Sequence, residues 1–85
     1  MTARVEVFVQ LKDGMLDPQG KTLEHALEAL GYSGVEDVRV GKWITFAVKG
    51  DTREEIGEKV DEMCRRLLAN TVIERYSYEL SEDGR

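Results

Sequence analysis

Residues 52–68 carry the strongest folding signal in this chain of 85 residues. Thr52 and Glu55 have the spacing of a capping box, in which each side chain satisfies a backbone N–H group at the start of a helix. Apolar residues then recur at helical spacing as one continuous stripe: Ile56, Val60, Met63, Cys64, Leu67 and Leu68. A helix with a single apolar stripe needs another layer to cover, so we expect it to lie on a sheet.

Alternation of apolar and polar residues predicts the strands of that sheet. In residues 4–11, Val5, Val7 and Val9 point to one face while Phe8 points to the other. Residues 35–48 form either two strands joined by a hairpin at Gly41 or one long strand that bends there, and the pattern is compatible with both. Residues 72–80 are expected to form a final strand.

A first helix is predicted to begin at Asp17, which can cap free backbone N–H groups, with Pro18 in its first turn. Its apolar residues again form one stripe: Leu23, Ala26, Leu27 and Leu30. Gly31 is expected to end the helix in a left-handed conformation.

The predicted order is therefore β-α-β-β-α-β. It indicates an α+β fold, a two-layer sandwich of ferredoxin-like character in which two helices cover an antiparallel sheet. We expect residues 1–85 to form a single domain with a radius of gyration of about 12 Å and a flexible tail at residues 81–85.

Composition excludes several classes of protein. The formal net charge of −5 opposes general nucleic-acid binding, which needs a basic surface. No apolar run reaches the roughly 18 residues of a membrane span, and no signal-peptide pattern is visible at the N-terminus, so a cytoplasmic location is expected. The single cysteine excludes an internal disulfide framework.

Reactive groups are sparse. His25, the only histidine, falls on the polar side of the first helix and is expected to be solvated. Cys64 lies in the apolar stripe of the second helix, where a small buried residue is more plausible than a nucleophile. We therefore expect no catalytic residue and no metal site in this chain.

Phe8 and Trp43 are the exceptions to the apolar pattern, because each lies on the strand face opposite the predicted core residues. Large apolar side chains on an open sheet face indicate contact with another chain. We expect both to lie in a homodimer or higher homo-oligomer interface.

Four blocks of sequence strongly resemble the PurS family, the small subunit of phosphoribosylformylglycinamidine synthase. They are residues 11–21 (LKDGMLDPQGK), 27–32 (LEALGY), 38–42 (VRVGK) and 68–74 (LANTVIE). The first block together with the third is the most specific part of the resemblance, which covers nearly the whole chain.

The resemblance implies a non-catalytic subunit of an ATP-dependent carbon–nitrogen ligase in de novo purine biosynthesis. In that family a glutaminase subunit releases ammonia from glutamine, and a large synthetase subunit uses ATP and Mg²⁺ to form the amidine. The small subunit, a dimer in the complex, joins the other two and assists ammonia transfer. No cofactor is expected on this chain itself, and no nucleic-acid or membrane partner.

Two segments are predicted to bind these partner subunits. Residues 17–20 would form a shaped loop, and residues 39–42 a bend with two positive charges for acidic groups on a partner. The individual residues are Asp17, Pro18, Gln19, Gly20, Arg39, Gly41 and Lys42. Helix capping alone is the competing explanation for the first segment. The competing function is a ferredoxin-like module that senses a small ligand and regulates an enzyme.

Overall fold

The computed structural model describes residues 1–82. Its elements are β1 (Thr2–Leu11), α1 (Pro18–Ala29), β2 (Gly41–Lys49), α2 (Arg53–Met63) and β3 (Glu74–Glu82), with a π-helical turn (Cys64–Leu68) directly after α2. Ser81 and Glu82, which were expected to begin a tail, still belong to β3. The remainder of that predicted tail, residues 83–85, lies outside the described residues.

The three strands form one antiparallel sheet in the order β2-β1-β3, with β1 in the centre. The α+β class and the antiparallel sheet with two helices are confirmed. Both alternatives for residues 35–48, and with them the predicted fourth strand, are wrong for the described residues, because residues 35–40 form no strand and β2 begins only at Gly41. Two features interrupt a strand in this segment: Asp37 has a φ of 58°, outside the extended region, and the Val40 N–H group donates to the Asp17 carboxylate instead of to a neighbouring strand.

The core lies between one face of the sheet and α2. On β1 the side chains of Val5, Val7 and Val9 are fully buried, as their alternation predicted. On the helical side Ile56, Val60 and Cys64 are equally inaccessible. Because β1 is the central strand, α2 covers the middle of the sheet. Apolar residues of the two outer strands flank this core and are partly buried: Ile44 and Phe46 on β2, and Tyr76, Tyr78 and Leu80 on β3.

Helix α1 does not cover the sheet, contrary to the predicted two-helix layer. Gly20 is its only buried residue, and Leu23 and Leu30 are 48% and 74% exposed. The chain is correspondingly extended, with a radius of gyration of 16.6 Å and dimensions of 51 × 31 × 15 Å. This radius exceeds the roughly 12 Å expected of a fully packed chain of this length.

Local signals nevertheless hold α1 together as a helix. Asp17 caps its first turn, as predicted. At the other end Gly31 has a φ of 100°, and the Gly31 and Tyr32 N–H groups donate to the carbonyls of Glu28 and Leu27, both at 3.0 Å. This pattern is a Schellman motif. The end of α1 therefore needs no tertiary partner for its backbone carbonyls.

The π-helical turn changes the register of the second apolar stripe. The Ala69 N–H group donates to the Cys64 carbonyl, five residues earlier, at 2.9 Å. The extra residue in this turn rotates the following side chains relative to a continuous α-helix. The prediction that Leu67 belongs to the buried stripe is wrong, since Leu67 is 82% exposed and Ala69 is buried instead.

Candidate functional site

The two segments predicted to bind partners lie against each other where α1 leaves the sheet. One runs from the end of β1 into the first turn of α1, and the other leads into β2. We call residues 12–20 and 38–42 together the α1 joint. The joint contains every residue that was predicted to contact a partner subunit.

Asp17 connects the two halves of the joint. Its Oδ1 accepts a hydrogen bond from the Gly20 N–H group and its Oδ2 accepts one from the Val40 N–H group, both at 2.8 Å. The side chain is only 6% exposed. The Val40 N–H group first, and the Gly20 N–H group second, lower the pKa of the carboxyl group. Both carboxylate oxygens are thus occupied within the chain.

Two glycines allow the backbone segments of the joint to approach closely. A Cβ atom at Gly20 would overlap the carbonyl oxygen of Val38, which is a backbone atom. A Cβ atom at Gly41 would come within 2.5 Å of the Val9 carbonyl oxygen. Glycine is therefore required at both positions by the space available.

The two predicted positive charges of the joint both contact backbone carbonyls of this chain. The Arg39 guanidinium donates from Nη1 to the Met15 carbonyl at 3.2 Å and from Nη2 to the Lys12 carbonyl at 3.1 Å. The Lys42 ammonium donates to the Leu68 carbonyl at 3.2 Å, at the end of the π-helical turn. Both side chains lie at the surface, but the structure gives each an internal role that the sequence analysis did not foresee.

The outer side of the joint is available for contact. Pro18 and Gln19 are exposed and line a mostly apolar surface groove of about 370 Å³, together with Thr22, Leu23 and Val40. Gln19 can present its amide at this groove, and its predicted contact with a partner subunit stays a prediction. The described residues that line the groove carry no strongly reactive side chain, so its chemistry suits binding rather than catalysis.

Leu16 was missed as a candidate contact residue. It is 76% exposed in the loop directly before the Asp17 cap. The sequence contains a signal for it, since Met15 and Leu16 are two adjacent apolar residues between a turn glycine and a helix cap, where neither helix nor strand periodicity can bury them.

Phe8 and Trp43 lie side by side on the open face of the sheet. They are directly opposite each other in the register of β1 and β2. Phe8 is half-buried and Trp43 is 65% exposed. Their placement away from the core agrees with the alternation pattern, and their role in an oligomer interface stays a prediction.

The few reactive side chains lie apart from the joint. His25 is exposed on α1. Cys64 is fully buried, and burial, followed by the nearby Asp61 carboxylate, raises the pKa of its thiol. A thiol of this kind stays protonated at neutral pH and is a poor nucleophile. Within residues 1–82 no three His, Cys, Asp or Glu side chains come close enough together to hold a metal ion.

A second cluster of polar side chains links α2 to β3. The Tyr76 hydroxyl donates to Asp61 Oδ1 and the Arg65 Nε donates to Asp61 Oδ2, both at 2.8 Å. Arg65 first and Tyr76 second lower the pKa of Asp61, and the hydrogen bond to Asp61 raises the pKa of Tyr76. Every member has a partner in the cluster, which serves to hold the helix on the sheet.

None of the helices in the described part of the chain has both the length and the apolarity needed to cross a membrane.

Comparison with known sequences agrees with this picture of a binding subunit. The family described as "PurS: Phosphoribosylformylglycinamidine (FGAM) synthase" matches residues 4–82. The PurS subunit of this synthase from Bacillus subtilis is 47% identical over 79 residues, which cover 93% of each chain. The PurS subunit from Methanocaldococcus jannaschii is 38% identical, over 93% of this chain and 95% of that protein.

Solved structures give the same result. A crystal form of Bacillus subtilis PurS superposes with a TM-score of 0.83 at 45% identity, covering 94% of this chain and 99% of that one. A chain of the structure of PurLQS from Thermotoga maritima superposes with a TM-score of 0.87 at 30% identity, over 95% and 99% of the two chains. The family match and these likenesses span almost the entire described chain, and the protein therefore belongs to the PurS family.

Proposed function

We propose that this chain is the small PurS subunit of phosphoribosylformylglycinamidine synthase in de novo purine biosynthesis. It would join a glutaminase subunit to an ATP-dependent synthetase subunit as a single domain and catalyse no step by itself. The observation that carries this proposal is the close likeness to a chain of the Thermotoga maritima PurLQS structure, which extends over 95% of this chain.

The chemistry of the reaction gives such a subunit a purpose. Ammonia released from glutamine is mostly protonated in neutral water, and ammonium has no lone pair with which to attack an activated substrate. A closed assembly that keeps bulk water away from the path between two active sites preserves the nucleophile. A subunit with contact surfaces and no reactive groups can help to close such a path. ATP and Mg²⁺ would be bound by the synthetase, and the complex would work in the cytoplasm.

The exposed apolar surfaces support a homo-oligomer within this assembly. In the apolar stripe of α1, Leu23 and Leu30 remain 48% and 74% exposed when residues 1–82 are considered. Phe8 and Trp43 add a second apolar surface on the open face of the sheet. A second copy of this chain is the occupant that accounts for both, because each copy would offer and bury the same surfaces at once.

Reconstitution tests the proposed function. The purified chain should be mixed with the glutaminase and synthetase subunits, with ADP and glutamine present, and sized by analytical ultracentrifugation. We expect one larger species containing all three polypeptides, and glutamine-dependent amidine formation that requires this chain. Full glutamine-dependent activity without the chain would contradict the proposal.

Calorimetry separates this function from the ligand-sensing alternative. A joining subunit should give no saturable heat when the isolated chain is titrated with amino acids or nucleotides. A saturable signal, combined with failure to join the two larger subunits, would favour a regulatory module instead.

A further inference from the structure

We propose that Arg39 is a positioning residue that sets the direction in which α1 projects from the sheet, and thereby the surface that the subunit presents to its partners. The inference rests on the proposed function, because it explains how a subunit with so little packed surface can bind in a defined orientation.

Packing within the described chain does not determine the direction of α1. Gly20, in its first turn, is the only buried residue of the helix. In residues 1–82, every hydrogen bond or ion pair that connects α1 and its flanking loops to the rest of the molecule lies in the α1 joint. In the isolated chain, the orientation of this 12-residue helix therefore depends on a few polar contacts at one end.

Asp17 alone provides a pivot and not a fixed angle. Its single carboxylate ties the first turn of α1 to the Val40 N–H group. The close approach of Gly20 to the Val38 carbonyl lies beside this tie, and contacts clustered at one point leave rotation about that point possible. A second line of contact, displaced from the first, is needed to stop this rotation.

Arg39 supplies that second line of contact. Its two terminal nitrogens bind the carbonyls of Lys12 and Met15, at 3.1 and 3.2 Å, on the loop that leads into α1. The Lys12 N–H group in turn donates to the Ile73 carbonyl at 2.9 Å, next to the start of β3. The planar guanidinium can hold two acceptors at a fixed separation, which a lysine ammonium on a flexible chain does less well. Loop, helix and sheet are thereby tied together.

The contact with Met15 also places the exposed part of the joint. Leu16 follows Met15 directly and is 76% exposed. The position of the Leu16 side chain, and of Leu23 further along α1, thus depends on the same guanidinium. Arg39 would act on assembly through these neighbours and not by touching a partner.

Substitution of Arg39 tests this role in the reconstituted complex. Arg39→Ala should raise the concentration of subunit that gives half-maximal glutamine-dependent activity about tenfold, which is about 1.4 kcal/mol of binding free energy, because a loop that is no longer held in place must be ordered on binding. The maximal activity at saturating subunit should stay near the wild-type value. Arg39→Lys keeps the charge and loses the fork, so we expect it to recover only part of this loss. Amide hydrogen exchange of the free chain should accelerate in residues 12–20 for both variants and stay unchanged in α2.

Arg53→Ala is the matched control, because Arg53 also donates to a backbone carbonyl, that of Leu80 at 2.8 Å, but lies outside the joint. It should leave the half-maximal concentration unchanged. Full recovery of assembly by Arg39→Lys, or weak assembly with unaltered exchange in residues 12–20, would overturn the proposal in favour of a direct ionic contact. If Arg39→Ala does not fold, as judged by circular dichroism, Arg39→Lys decides by the same two measurements. Failure of the wild-type chain to join the complex would instead contradict the proposed function.

Discussion

Two carboxylates show how single residues organise this chain. Asp17 binds backbone groups of Gly20 and Val40, and Asp61 binds the side chains of Arg65 and Tyr76. Each carboxylate has one hydrogen-bond partner three or four residues away, and a sequence pattern can predict such a local contact. Its other partner lies at least 15 residues away, and no local pattern predicts that contact. The local contact caps or braces a helix, and the distant one determines where that helix is attached.

Asp17→Asn should lower the melting temperature at pH 7 by roughly 5 °C. An asparagine amide can accept from only one of the two N–H groups, and its own NH₂ group then faces the other donor. Thermal unfolding followed by circular dichroism measures the effect. Asp13→Asn is the control, since Asp13 is exposed and its 3.7 Å ion pair with Arg75 lies at the surface.

The wild-type chain and the Asp17→Asn variant should also differ in their response to acid. The folded chain lowers the pKa of Asp17 below its ordinary value of 3.8, so the unfolded state binds the proton more readily. The stabilisation by Asp17 is therefore present at pH values above the ordinary pKa of 3.8. It is lost as the pH falls through the lower pKa of the folded state. The difference in melting temperature between wild type and Asp17→Asn should shrink below about pH 4, and a difference that stays constant down to pH 2 would contradict this reading.

The elements differ in how they are stabilised. Helix α2 is buried on one face against β1, whereas α1 relies on its own caps and on the joint. The π-helical turn after α2 lets Cys64 and Ala69 both be buried, while Leu67 points to solvent. One inserted residue thus decides which apolar side chains at the end of this stripe reach the core.

Leu67→Ser tests the register of that turn. Because Leu67 is largely exposed, we expect a change of less than about 0.5 kcal/mol in the free energy of unfolding. Val60→Ala, in the buried part of the same stripe, should cost about 2 kcal/mol through lost burial and the cavity left behind. Urea unfolding measures both. Equal large losses in the two variants would show that the stripe continues as an α-helix and buries Leu67.

At the scale of the whole molecule, the chain is a small one-sided core with a helix projecting from it. A core of this kind is thin for 85 residues, and chains of such size depend strongly on each contact they bury. The uncovered stripe of α1 and the Phe8–Trp43 surface are where further burial is available. The extended shape therefore fits a subunit that completes its packing against other chains.

Removing the apolar stripe of α1 should weaken self-association. We expect the double variant Leu23→Glu and Leu30→Glu to sediment as a smaller species than the wild-type chain, because charges would be placed in the contact between copies. His25→Glu, on the polar side of the same helix, is the control and should sediment like the wild type. Wild-type sedimentation as a single chain at all concentrations would remove the basis of this prediction.

The sequence by itself determined the local features: the capping of α1 by Asp17, its glycine end at Gly31, the alternation of β1, and the burial of Cys64. These depend on contacts within a few residues or on a simple period. It also led to the prediction that residues 17–20 and 39–42 bind partner subunits, but not that these two segments bind each other.

Only the tertiary structure decided where α1 lies, that residues 35–40 form no strand, and that Leu67 faces solvent. Those outcomes depend on contacts between residues more than 20 positions apart, such as Asp17 with Val40 and Arg39 with Met15, or on one irregular turn. An apolar stripe states that a helix has something to bury. The surface that buries the stripe is selected by the free energy of the whole assembly, which depends on contacts between distant residues and between chains. A pattern within one helix contains no information about those contacts.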